Sequence, residues 1–405
     1  MSLFRLGSAV CLIGTASLSA HALSLDQALQ AAAQRAPEMI AASADSQAAQ
    51  AMTIQAGALP DPKLAVWVDD LPTTGGERFR PGAAKRMVSL MQEVPNTARR
   101  EAEQRLADAE ARGAQAQARF ARLNVRRETT LAWLTVYYLD QRLTVLDEQD
   151  GLNRQSQQRD LAAITGGASP TGAFGARLEA LDLQDARDDL AAQRRQAVAR
   201  LARWTGDDLA REPLAGALPA WLTATAHDDA GVAELPDIRA AALQQEAANA
   251  EVALARAATR PNWAVELGVG LDAMDKNMAM LKFTFDLPLF QGTRQDPRIA
   301  AAQAKVDKSQ AEREARLLDA RTEVAALAAE REALQRQLAR IDRDTLPLLE
   351  RQSQVALAGV AGGKGETGAV LDVRRARLAA RMRHVELEGR LAEANARLFF
   401  LTGDH

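Results

Sequence analysis

Apolar and polar residues alternate twice between Asn262 and Leu287. Trp263, Val265, Leu267, Val269 and Leu271 are separated by Ala264, Glu266, Gly268 and Gly270. After a turn-like Asp272–Asn277, Ala279, Leu281, Phe283, Phe285 and Leu287 are separated by Met280, Lys282, Thr284 and Asp286. Period-two alternation over about nine residues, twice, predicts a β-hairpin with one apolar and one polar face. A second, less regular pair is predicted at Lys63–Asp69, with Leu64, Val66 and Val68 on one face, and at Lys85–Val94, with Val88 and Leu90. Trp67 and Met91 fall on the opposite face. Leu71–Gly82, rich in Gly, Pro and Thr, joins the two as an exposed loop.

Everything around these strands follows a helical period. Ile299, Val306, Ala320, Leu327, Leu334, Ile341, Leu348 and Val355 keep a seven-residue spacing that only Arg313 interrupts; Leu317, Val324 and Leu338 add a second apolar position. Sustained heptads predict helices packed side by side as a coiled coil. A helix over Thr293–Val360 would be about 100 Å long at 1.5 Å per residue, with a kink expected at Pro347. Helices of that length predict an elongated molecule. Gly166-Gly167-Ala168-Ser169-Pro170 and Gly362-Gly363-Lys364-Gly365 should end the long helices, glycine supplying positive φ, before a second helix returns. Single helices are expected over Ser24–Ala56 and Asp237–Thr259, each ended by the proline that follows.

Landmarks recur in the same order. Pro37 returns as Pro236 (236 − 37 = 199), Pro60 as Pro261 (201), Pro95 as Pro288 (193), Gly166-Gly167 as Gly362-Gly363 (196) and Thr205-Gly206-Asp207 as Thr402-Gly403-Asp404 (197). Five matches at nearly one spacing predict a duplicated unit of about half the chain. The expected layout is a first repeat over 23–212, a linking segment over 213–235 with one short helix and Trp221, and a second repeat over 236–405. Residues 1–22 read as a secretory signal: Arg5, an apolar run from Ala9, and Ala20-His21-Ala22 as the cleavage site.

Composition narrows the function. Aromatic residues are only 4% of the chain, and the net charge of −3 carries no nucleic-acid footprint. The single cysteine, Cys11, lies inside the signal, so neither a disulfide nor a lipid anchor is expected. His21, His227, His384 and His405 are scattered, and no His/Cys/Asp/Glu spacing suits a metal cage. No nucleophile–base pair or phosphate loop is visible, so neither catalysis nor a cofactor is expected. Beyond the signal no stretch of eighteen apolar residues occurs, so membrane entry would require a closed β-barrel. A tilted strand of about ten residues spans the apolar band of an outer-membrane barrel, but four strands cannot close one. Either several chains contribute, or the sheet packs on its own helices in a soluble periplasmic adaptor or scaffold.

Several stretches resemble the TolC-like outer-membrane efflux proteins, over essentially the whole chain beyond the signal. Pro236-Asp237-Ile238-Arg239-Ala240-Ala241 with Ala255-Arg256-Ala257 and Pro261 is similar to the family's helix-to-strand entry. Gly359–Leu378, including Thr367-Gly368-Ala369-Val370-Leu371-Asp372-Val373, is similar to its second turn and returning helix, and Leu201–Gly206 and Leu398–Gly403 to its helix endings. Leu59-Pro60-Asp61-Pro62 looks most like the heavy-metal efflux branch; the absence of an acylated cysteine departs from many relatives.

The resemblance implies an α+β membrane protein of the outer membrane, with a large periplasmic part and an internal two-fold repeat. It implies a homotrimer in which four strands per chain make a twelve-stranded transmembrane β-barrel. Coiled-coil helical hairpins would form a periplasmic α-barrel that docks on an adaptor (a membrane fusion protein) and an inner-membrane pump. Trp263, Val265, Leu267, Val269, Leu281, Phe283 and Phe285 would then face lipid. The hairpin tips, with Gly166, Gly167, Gly362, Gly363 and Thr367, would face the adaptor. Asp372 resembles the family's acidic constriction and, with Arg374 and Arg375 beside it, is a gate candidate; copy one has Gly175 or Ala176 at that place.

Overall fold

The computed structural model describes residues 22–165, 171–214, 216–223, 229–362 and 367–402. The chain is mostly helical, with one four-stranded sheet. Helices α1 (Leu25–Arg35) and α2 (Pro37–Gln55) lead to strands β1 (Lys63–Asp69) and β2 (Lys85–Val94). The long helices α3 (Thr97–Thr165) and α4 (Thr171–Thr205) follow, then the short helices α5 (Asp207–Ala210) and α6 (Ala220–Thr223). Helix α7 (Pro236–Ala257) precedes β3 (Trp263–Leu271) and β4 (Asn277–Phe285). Helices α8 (Gln291–Arg340), α9 (Leu346–Ala361) and α10 (Thr367–Thr402) follow. The expected signal at 1–22 lies outside the described residues apart from Ala22.

All strand neighbours are antiparallel, in the order β1-β2-β3-β4. The central pairing, β2 with β3, joins elements far apart in sequence: Leu90 opposes Leu267 and Met91 opposes Glu266. Strands β1, β2 and β3 have the expected bounds. Strand β4 ends at Phe285 instead of Leu287. Asp286 still donates its amide to Asn262 O at 2.9 Å, but Pro288 has no donor with which to continue the ladder.

The expected single helix over Ser24–Ala56 is two. Pro37 opens α2 at its first position and holds Ala36 extended at φ −62°, ψ 117°, so the helix stops and restarts. Ser24 caps α1 with a reciprocal capping box to Gln27. The kink expected at Pro347 is a wide π-turn at Ile341–Thr345, in which Leu346 N bonds back to Ile341 O. A π-turn relieves the crowding a proline imposes on the preceding helical turn. Gly362, which closes α9, has φ −83°, not the positive φ expected of a terminating glycine.

The main apolar core lies where α1, α3, α4, α6 and α10 meet, around Trp133, Leu134, Leu201 and Leu222. Trp133 is 1% exposed, stacks on Tyr137 at 5.1 Å and donates Nε1–H to Leu23 O at 3.2 Å. Within the linking segment, Trp221 stacks on Phe399 at 4.3 Å, and Asn395 donates to Leu222 O at 2.7 Å. The heptad residues Val324, Leu327 and Leu334 are buried, whereas Leu348 and Val355 on the same series are exposed.

Candidate functional site

Strand register sorts the sheet into two chemical faces. Residues directly opposite one another share a face. One face carries the row Leu64–Leu90–Leu267–Leu281 across all four strands, flanked by the row Val66–Val88–Val269–Ala279. Among the described residues no element covers this face: Leu267 is 60% and Val269 66% exposed, and Trp263, Phe283 and Phe285 are exposed too. Val265 is only half-buried.

The other face is polar at its centre and filled. Ser89 is 2% and Glu266 8% exposed, and Met87 and Ala264 are buried. Ser89 donates Oγ–H to Glu266 Oε1 at 2.6 Å, and Lys282 Nζ lies 3.4 Å from Glu266 Oε2. One carboxylate therefore links strands from both halves of the chain. Buried polar groups cost stability unless they are paired in this way. The backbone closes tightly over β3: a Cβ on Gly270 would lie 2.0 Å from Arg86 O, so only glycine fits there.

Both ends of the sheet are fastened. At the hairpin end, Lys85 pairs with Asp70 and Arg86 with Asp275. At the helical end, Asn262 Oδ1 accepts from both Asn96 N and Asn96 Nδ2 at 3.0 Å, and Asn96 Nδ2 also reaches Ala257 O at 3.1 Å. Arg100 donates to Gly57 O at 2.7 Å, and Gly57 takes φ 68° as the chain leaves α2 for β1. The strands are thereby locked to α3 and to the end of α7.

The gate candidates sit on the first turns of α10. Arg374 donates to Ser156 Oγ on α3 at 3.0 Å, and Arg375 lies 3.7 Å from Asp182 on α4, while Asp372 is exposed. Both arginines thus bind α10 to the first helical hairpin. Of the tip residues, Gly166, Gly167 and Gly363 lie outside the described residues; Gly362 donates its amide to Ala358 O at 2.9 Å, and Thr367 opens α10. Among the described residues no group of three or more His, Cys, Asp and Glu side chains is placed to hold a metal ion. Among them, too, no helix is long and apolar enough to cross a membrane.

Sequence reasoning found the apolar face but missed Ser89, Glu266 and Lys282 as a group, and the Asn96–Asn262 lock. The alternate positions of the period-two pattern were the available signal for the first. For the second there was none, because the two asparagines are 166 residues apart.

Comparison with known proteins places this geometry. Residues 232–404 match the family model described as outer membrane efflux protein. Curated protein sequences gave no match. Among solved structures, the outer membrane protein VceC from Vibrio cholerae is 19% identical, with a TM-score of 0.77 over 94% of this chain and 96% of that one. A membrane protein from Pseudomonas aeruginosa is 20% identical, with a TM-score of 0.79 over 93% of each chain. The open state of the MtrE outer membrane channel from Neisseria gonorrhoeae is 17% identical, with a TM-score of 0.76 over 94% of this chain and 88% of that one. These structures share the fold over 93–94% of this chain, and residues 232–404 are similar in sequence to the outer membrane efflux proteins.

Proposed function

We propose that this chain is one protomer of a trimeric outer-membrane duct, and that its helices extend into the periplasm to meet an adaptor and an inner-membrane pump. The observation that carries it is the uncovered leucine, valine and phenylalanine face of the sheet. In water that surface would be an aggregation liability; in acyl chains it is matched. A soluble adaptor would tuck the same face against its own helices. The outer strands β1 and β4 each have one neighbour. Open edges are not tolerated in lipid, so copies of the chain would close the cylinder, with twelve strands for three protomers. The exposed Leu348 and Val355 extend a heptad seam whose partner would be the next protomer.

A duct of this kind is passive: it conducts what a pump delivers. MtrE, to which the chain is similar, is described as an outer membrane channel with an open state. We assign 23–212 and 236–405 as two repeats of one plan, and the tips around 166–172 and 362–368 as the adaptor contact. Asp372 would give a ring of three carboxylates that filters by charge. The resemblance of Leu59-Pro60-Asp61-Pro62 to the heavy-metal efflux branch supports heavy-metal cations among the small solutes it would export. Fractionating cells and sizing the detergent-extracted protein tests the assignment. A trimer in the outer-membrane fraction is expected; a soluble monomer would overturn it.

A further inference from the structure

Helices α3, α4 and α10 enclose a cleft of about 300 Å³ in the helical body, apart from the sheet and from the gate candidates. That volume lies at the lower end for small-molecule sites. Tyr138 of α3 forms one wall and lies against Gly389 of α10, where a Cβ would stand 3.0 Å from its Cγ. A glycine inside a helix costs about 1 kcal/mol relative to alanine; here it admits the ring. Arg142 of α3 lines the same cleft. So do Gln193, Gln196 and Arg200, which share one face of α4 through their spacing of three and four residues. Elsewhere along these helices arginines meet carboxylates. Arg194 pairs with Asp140, Arg187 with Asp147 at 2.8 Å and Arg381 with Glu148 at 2.6 Å. The other charges of the cleft are engaged as well. Glu386 lies 2.9 Å from Arg383, Arg390 pairs with Glu330 at 2.8 Å, and burial pushes the Glu393 carboxyl up, toward its neutral form. Among the described residues neither Arg142 nor Arg200 has an ion-pair partner, and Arg142 Nε is buried without a hydrogen-bond acceptor. Two guanidiniums from packed helices therefore share one cleft with no carboxylate of their own.

A cleft that carries one sign of charge concentrates counter-ions. Planar guanidinium forks match the paired oxygens of a phosphate or a carboxylate. Arg142 lies 142 − 97 = 45 residues along α3, roughly 65 Å from its start beside the sheet at 1.5 Å per residue. The ligand is therefore a dissolved one, not a headgroup of the bilayer that would hold the sheet. We propose that Arg142 and Arg200, with Gln193 and Gln196, bind a small dissolved oxyanion carrying two negative charges, such as phosphate or a short dicarboxylate. The anion neutralises two like charges between α3 and α4 and so stabilises the first helical hairpin. The site stands independently of the duct proposed above.

The test is calorimetric titration of the purified full-length protein in detergent with sodium phosphate and, separately, with sodium succinate, at an ionic strength held constant with sodium chloride. Saturable binding of at least one is expected, with a higher thermal midpoint in its presence. Arg142→Gln and Arg200→Gln should each weaken that binding roughly tenfold, the loss of one charge-assisted hydrogen bond. Arg119→Gln, exposed on the same helix as Arg142 but outside the cleft, should leave it unchanged. Binding of phosphate alone assigns the cleft to tetrahedral oxyanions, and binding of succinate alone assigns it to dicarboxylates. Binding of neither would overturn the site. So would wild-type affinity in Arg200→Gln, whose exposed position keeps folding out of the comparison, or an equal loss caused by Arg119→Gln.

Discussion

Ser89 on β2 gives its hydroxyl hydrogen to Glu266 on β3 across 2.6 Å, inside the filled face of the sheet. The bond couples strands contributed by opposite halves of the chain. Removing it leaves a buried carboxylate oxygen without its nearest donor. Ser89→Ala should therefore destabilise the folded protein by about 1–3 kcal/mol. Ser89→Thr, which keeps the hydroxyl, should recover most of the loss. Urea unfolding of the detergent-solubilised protein reads both; equal midpoints for wild type and Ser89→Ala would show that the bond carries no net stability.

The leucine row Leu64–Leu90–Leu267–Leu281 leads to a face-specific expectation. In the proposed barrel Leu267, at the middle of β3, would lie near the bilayer midplane, so Leu267→Arg should cost about 2–4 kcal/mol. Thr284→Arg, on the opposite face of β4, should be tolerated far better. The yield of assembled protein in the outer-membrane fraction distinguishes them. Equal yields from the two variants would contradict lipid contact at Leu267.

The strands were legible from the chain alone because a period of two is read locally. The bounds of β1, β2 and β3 and the facing of Trp67 and Met91 follow from alternation, and the register confirms them. What joins the halves was not legible. The pairing of Leu90 with Leu267 and the Asn96–Asn262 lock depend on contacts more than 160 residues apart, for which local pattern carries no signal. The break at Ala36 is readable in principle: Pro37 imposes on its predecessor what Pro60 and Pro261 impose on theirs. Pro347 predicts a kink, but sequence does not distinguish a bend from a π-turn, since both relieve the same clash. In the candidate site, the apolar face was readable residue by residue. Its polar reverse was passed over because single Ser, Glu and Lys residues look like ordinary solvated positions until register brings them together.

Glu393 provides a pH test within the helices. Burial pushes its carboxyl above the ordinary range, against the opposing pull of Arg397, the Thr135 hydroxyl and Arg390, with Glu330 adding to the rise. Thr135 Oγ1 lies 3.4 Å from Glu393 Oε1. The folded state thus holds this proton more tightly than the unfolded state does. Its contribution to stability is complete below the ordinary glutamate pKa and is lost as pH rises through the higher folded value. Glu393→Gln, which cannot ionise, should remove that loss. Thermal midpoints measured from about pH 4 to pH 7 should fall less with rising pH in the variant than in the wild type. Parallel curves would show that Glu393 does not titrate differently in the folded protein.

At the start of α10, partners divide the three charges that sequence placed together. Arg374 is held by Ser156 on α3 and Arg375 lies against Asp182 on α4, so both serve to dock α10 on the first helical hairpin. Asp372 is exposed on the same turns and, in the duct proposed above, would be the one of the three to meet a passing ion. In the proposed three-fold assembly its charge would be repeated around the axis, and three like charges at one level would favour cations. Asp372→Ala is therefore expected to lower cation preference in planar bilayers while leaving thermal stability unchanged. Arg375→Ala should do the reverse, with a small stability loss of about 0.2–1 kcal/mol and unaltered selectivity, because an exposed ion pair contributes little and takes no part in the filter. Identical selectivity in wild type and Asp372→Ala would remove Asp372 from the conduction path and leave it an ordinary surface carboxylate.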